Sequence, residues 1–224
     1  MLSTRSNDYT TERRVLSPAD AVGRAGVFAQ VMALVALTLA FAAAGGAIGR
    51  HLPSVAGLLF LIAAMVCVCS TCRAARRSES LAIAALLTGG LLLGLGLGPA
   101  LDRYARADPQ AVWQAAGATA LLVGALGSGG YAIRRDLSRA YRALFVAVLA
   151  VLLGGVVAVA TAMPAADLGY AIAGLVVFSG YTVVDFNLMR RAGVQDVVPL
   201  AAGIFIDIVN IFLLLLDLLG SSDG

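Results

Sequence analysis

Long apolar stretches follow one another through this sequence, separated only by short charged loops, and this restricts the fold more than any other feature. A bilayer span needs about 20 mostly apolar residues. Seven stretches of that kind fit in the chain, at residues 26–49, 52–72, 80–101, 112–133, 140–163, 168–189 and 198–219. The third is expected to end near Pro99 and the fifth to close at Pro164. Pro199 falls in the first turn of the seventh, where a missing N–H costs nothing. Only 13% of the residues are charged, against about 25% in an ordinary soluble domain, which leaves too little polar surface for a life in water. The expected fold class is all-α integral membrane, with seven transmembrane helices in one domain over residues 25–220. A mobile cytoplasmic tail, 1–24, precedes it and a short end, 221–224, follows.

Loop charge sets the expected orientation. All 16 basic residues are arginine. The tail and the loops after the second, fourth and sixth stretches carry 4, 3, 4 and 2 of them, leaving Arg50, Arg103 and Arg106 for the other side. Basic loops stay in the cytoplasm, so the N-terminus is expected inside and, after seven spans, the C-terminus outside. The net charge of +3 is thus spent on topology and gives no reason to expect nucleic acid as a partner. Residues 1–24 are polar and the first apolar run is too long for a signal-peptide core, so no cleaved leader is expected.

Cys67, Cys69 and Cys72 crowd one helix end. An odd, clustered set is not a disulfide framework. They read as small buried thiols, with a soft-metal site as the alternative because thiolates suit such metals. Glycines recur at 90, 94 and 98 and at 124, 127 and 130, a pattern that lets membrane helices approach closely.

The chemistry is expected in acids. Of thirteen, Asp185 and Asp207 lie well inside the sixth and seventh stretches. A charge in hydrocarbon is costly, so such residues face a bundle interior or a water path. The two helices are antiparallel, and at 1.5 Å per residue the acids lie roughly 6 and 14 Å from the cytoplasmic ends. Gly203, Asp207, Asn210 and Asp217 continue as a polar stripe along one face of the seventh helix, with Ile, Val, Phe and Leu elsewhere. Neighbouring carboxylates in a low-dielectric site do not readily both ionise, so they titrate as a unit. Arg73, Arg76 and Arg77, at the end of the second helix, are the cations expected at the depth of Asp185.

Several of these residues stand in a familiar order. The stretch 178–185 (FSGYTVVD), Val198-Pro199, and 205–212 (FIDIVNIF) resemble the Bax inhibitor-1 family of membrane proteins. Arg134-Arg135-Asp136-Leu137-Ser138 is similar to that family's basic-basic-Asp-Leu-Ser loop, and Thr88-Gly89 to Gly98-Pro99 to its third helix. The resemblance implies seven helices with the last central and surrounded by the other six. It implies a pH-sensitive calcium leak in the bacterial inner membrane, gated by a hydrogen-bonded aspartate pair that falls on Asp185 and Asp207. A latch arginine is implied too, and falls on Arg76 when counted back from the Pro99 motif, with Arg73 and Arg77 beside it. Two positions depart from the pattern: Met65 stands where some bacterial relatives carry an acid, and Asp217 where a basic residue is common. The second departure makes Asp217 a candidate attractor of cations at an outer mouth.

The leading expectation is therefore a calcium-permeable leak, with Asp185 and Asp207 making transient cation contact, no bound cofactor, and calcium as the permeant ion. The alternatives are a proton-coupled cation transporter using the same pair, and a non-conducting regulator of other membrane proteins, such as a quality-control protease. No enzyme is expected: the sequence has no His-Glu-x-x-His and no Gly-x-Ser-x-Gly, and its one histidine, His51, lies in a loop.

Overall fold

The computed structural model describes residues 18–161 and 164–220, with the side chains of 18–25, Cys72 and 156–167 left aside. Every regular element among them is helical. The helices are α1 (Pro18–Gly49), α2 (Ser54–Ala75), α3 (Glu79–Ala107), α4 (Pro109–Ala132), α5 (Ala140–Thr161), α6 (Pro164–Met189) and α7 (Val197–Gly220), with a 3-10 turn at Val194–Asp196 before α7. Six of them are long and apolar enough to cross a membrane among the described residues; in α5 the apolar stretch that is described, Ala140–Gly155, is shorter. Outward-facing side chains such as Val55, Leu58, Ile62, Trp113, Leu121 and Leu153 are each more than half exposed. A water-soluble protein does not cover itself in this way.

The helix boundaries differ from expectation in two instructive places. The third helix does not stop at Pro99 but runs through it to Ala107. Proline removes one backbone donor and strains one turn, and glycines at 94, 96 and 98 leave room for that adjustment. Asp102 and Arg106 thereby become helix residues, paired across one turn at 2.8 Å, and Asp108 alone joins α3 to α4. Its carboxylate caps α4, accepting from the backbone N–H of Gln110 at 2.9 Å and of Ala111 at 3.1 Å, with Pro109 in the first turn. At the other end of the chain, α1 already begins at Pro18, inside the expected tail. Residues 1–17 and 221–224, like Met163, lie outside the described residues.

Packing follows the small residues. Gly90, Gly94 and Gly98 recur every four positions, so they share one face, and all three meet α1, at Thr38, Ala42 and Gly49. The second glycine series behaves differently. Gly127 and Gly130 pack on Phe186 and Val183 of α6, whereas nothing lies within 4 Å of the space beside Gly124. A spacing of three turns each position about 60° from the last, so this series cannot stay on one seam. α7 is the most enclosed of the spans and packs against α1, α2, α3, α4 and α6. Its apolar faces are buried too: Ile204, Phe205 and Ile211 are fully covered.

The cysteine cluster is not uniformly buried. Cys67 is half-buried and Cys69 faces outward, and no metal-holding group of three ligands exists among the described residues.

A β-carbon at Gly94 would overlap the Ala42 carbonyl, and overpacking of this kind costs about 1–3 kcal/mol. Gly94→Ala is expected to lower the Tm of the purified protein in detergent, while Gly124→Ala, which meets open space, does not lower it. Equal effects from the two substitutions would contradict this packing.

Candidate functional site: a buried aspartate pair

The two acids singled out in the sequence come together. Asp185 is 1% exposed and Asp207 4%. Gly203 precedes Asp207 by one turn of α7, and a β-carbon there would run into Asp185 Oδ2. The glycine is what lets the α6 carboxyl reach the α7 backbone, placing the two acids within electrostatic reach of each other. Thr182, one turn before Asp185 on α6, is fully buried. Its hydroxyl lies 3.0 Å from the Phe178 carbonyl and 3.5 Å from Asp207 Oδ2. A hydroxyl has one proton and two lone pairs. It can donate to the carbonyl while accepting from a protonated Asp207, or turn its proton toward an ionised one.

A third helix contributes. Tyr141, in the first turn of α5, lines the same cleft as the Asp185 carboxyl. Its ring stacks edge-on against Tyr181, with centroids 5.2 Å apart. Among the described residues Asp185 Oδ1 has no hydrogen-bond partner. A cleft of about 390 Å³ reaches Asp185 from the loop end of the molecule, lined by Tyr141, Leu188, Arg191, Asp196, Pro199 and Leu200.

The opposite side of the α6 end is anchored. Two residues on from Asp185, Asn187 points the other way, as positions i and i+2 on a helix do. It is fully buried. Its amide donates to the carbonyls of Ile133 at 2.7 Å and Gly130 at 3.3 Å, and its oxygen accepts from Leu137 N–H at 3.1 Å. Arg191 pairs with Asp136 at 2.8 Å and donates to the Arg134 carbonyl at 2.9 Å. The basic-basic-Asp-Leu-Ser loop is thus fastened to the end of α6. In the next loop, Asp196 accepts from Gly193 N–H at 2.9 Å, which turns the chain into α7.

The other expected site residues lie elsewhere. Arg76 is the C-cap of α2 and exposed, as are Arg73 and Arg77. Among the described residues no ion pair joins any of the three to Asp185. Asn210 is half-buried and its amide is turned back on the Ile206 carbonyl at 2.8 Å. Asp217 is exposed and accepts from the Tyr104 hydroxyl at 3.3 Å. Met65, the departure on α2, faces outward. Sequence reasoning missed Tyr141, Thr182, Asn187 and Arg191. Only Asn187 carried a signal, as an amide deep in an apolar run.

With this geometry in hand, similarity to known proteins becomes informative. Residues 24–224 match the family described as "Inhibitor of apoptosis-promoting Bax1". An uncharacterised protein of Deinococcus radiodurans is 28% identical over 159 residues, 66% of this chain and 68% of its own. The modulator of FtsH protease YccA of Escherichia coli K12 is 27% identical over 190 residues, 84% of this chain and 86% of its own. A Helicobacter pylori protein is 26% identical over 130 residues, 58% of this chain and 56% of its own.

The loop anchor yields a pH prediction. Hydrogen bonds from Ser138, and then the Arg191 charge, hold the Asp136 carboxyl below its ordinary value of 3.8. A depressed carboxylate contributes stability above the unfolded value and loses it as pH falls through the folded one. The stability difference between the parent and Asp136→Asn is therefore expected to be constant from pH 8 down to about pH 5 and to close only below pH 3.8. A difference that varies between pH 6 and 8 would place a titrating group in this anchor.

Proposed function

The chain belongs to the Bax inhibitor-1 family, and from that premise we propose that this multi-pass membrane protein is a pH-sensitive cation leak, with calcium as the permeant ion, gated by proton binding at the Asp185–Asp207 pair. One observation carries the reading: two carboxyl groups from adjacent helices meet in the apolar interior, and a cleft reaches one of them. Burial of two like charges favours a shared proton. Losing that proton leaves two carboxylates that repel at the α6–α7 contact, so proton occupancy biases how those helices pack. The arginine distribution supports an inner-membrane orientation with the N-terminus in the cytoplasm. In this reading α5 completes seven spans and α7 is the central helix. The cleft then opens to the cytoplasm, because it lies among the arginine-bearing ends of α4, α5 and α6.

In a second state of the gate, Arg76 moves to Asp185 as a latch, and Arg73 and Arg77 stay at the surface. Asp217 supplies negative potential at the outer end, an effect that salt weakens. The chain does no covalent chemistry and holds no cofactor. A proton-coupled cation transporter would use the same pair but need a driving gradient and saturate.

A regulatory role is the second reading, and a specific similarity favours it: the relative matched over 84% of this chain is a modulator of a membrane protease. The two readings part on the aspartates. In proteoliposomes, calcium flux through the parent is expected to change with pH, and the double variant Asp185→Asn, Asp207→Asn is expected to lose that dependence, since Asn does not ionise. An identical pH–flux curve in parent and double variant would remove the pair as sensor. Absence of flux at every pH from correctly folded parent protein would favour the regulator.

A further inference from the structure

We infer that Tyr141 is the shutter between the cytoplasmic-side cleft and the aspartate pair, a positioning residue that controls how water and protons reach Asp185; this rests on the proton-gating proposed above. Three geometric facts carry it. Tyr141 and Asp185 both line the 390 Å³ cleft, which puts the ring beside the carboxyl. Tyr141 is 38% exposed while Asp185 is 1% exposed, so the ring lies on the path from the open side of the cleft to the closed one. Behind it, Tyr181 meets the Tyr141 ring edge-on at 5.2 Å and is itself only 9% exposed, so the two rings form one wall.

The side chain sits where it can move. Tyr141 is the second residue of α5, directly after the Arg134–Arg139 segment. That segment is fixed to α6 through Asn187 and Arg191. Helix ends fray more readily than their middles, so a one-turn opening at the start of α5 withdraws the ring without disturbing the aspartates. A tyrosine suits the role. Its ring excludes water over a broad area, and its hydroxyl gives an ionised Asp185 a donor when the shutter is closed.

The charged and titratable groups facing Asp185 are few. α7 presents Asp207, α6 presents Tyr181 and Arg191, and the turn before α7 presents Asp196. Arg191 is committed to Asp136 and the Arg134 carbonyl, and Asp196 to Gly193 N–H. Tyr141 is thus the neighbour whose hydroxyl, rather than its charge, acts on Asp185.

The test separates this role from the gating it depends on. The purified full-length protein in detergent is treated with a water-soluble carbodiimide and an amine nucleophile, and amide formation at Asp185 is followed by mass spectrometry. Tyr141→Ala is expected to label Asp185 several-fold faster than the parent. Tyr141→Phe, which keeps the ring, is expected to label at the parental rate. Should the alanine variant fail to fold, Tyr141→Leu removes the ring while filling more of its space. Calcium flux in proteoliposomes is then measured against pH. Loss of the hydroxyl removes a donor to the ionised acid, so Tyr141→Phe is expected to shift the pH of half-maximal response upward by about one unit. Equal labelling rates in the parent and the ring-deleted variants would overturn the shutter. Faster labelling in those variants with no pH-dependent flux in any protein would uphold the shutter and reject proton-gated conduction.

Discussion

A carboxyl group placed in hydrocarbon has to be enclosed by protein, neutralised, or led to water, because an exposed charge there costs from about 2.5 to more than 10 kcal/mol. Asp185 and Asp207 place that demand on two adjacent helices at once, and much of the surrounding architecture answers it. α7 is wrapped by five other helices. Gly203 lets the α6 carboxyl close on α7. Thr182 and Tyr141 offer hydroxyls, which can donate or accept and so serve either protonation state. A hydroxyl accommodates either protonation state of a carboxyl, whereas a fixed cation would favour the ionised one.

The end of α6 divides this adjustable side from a fixed one. Asp185 faces the pair, whereas Asn187 and Arg191 fasten the same helix to the loop between α4 and α5. Removing a buried amide with three satisfied bonds leaves backbone groups unpaired, at about 1–3 kcal/mol for each such group. The anchor therefore keeps α6 in register with α4, and in the proposed gate movement in response to a proton falls to α7, to the start of α5, or to α2. In the proposed gate, proton binding at the pair beside this anchor turns a local charge change into a displacement of one element against another.

Hydrophobic length made the helices legible, to within a few residues at most ends, because each span must satisfy its backbone internally over a fixed thickness. The aspartate pair was legible for the related reason that acids inside spans are rare and face inward. What the sequence hid were partners whose residue types are ambiguous. Tyr141 stands where an interfacial aromatic is ordinary, Thr182 reads as a helix-packing residue, and Arg191 is one of thirteen arginines already explained by topology. Pro99 misled because proline ends helices in water more often than among glycines in a packed bundle. Along the stripe, burial falls from Asp207 through Asn210 to Asp217, because helical phase says which residues share a side, not how far along the helix the neighbouring helices cover it.

The central claim is that Asp185 and Asp207 hold protons as one unit. Carboxyl infrared difference spectroscopy on the parent and on each single Asn variant, titrated from pH 4 to pH 9 and assigned with isotopically labelled aspartate, tests it without relying on transport. The account predicts two coupled steps for the parent, and for either variant a single step whose midpoint differs from both. Two independent steps in the parent, one of them unchanged in each variant, would show that the acids do not sense each other and would contradict the account.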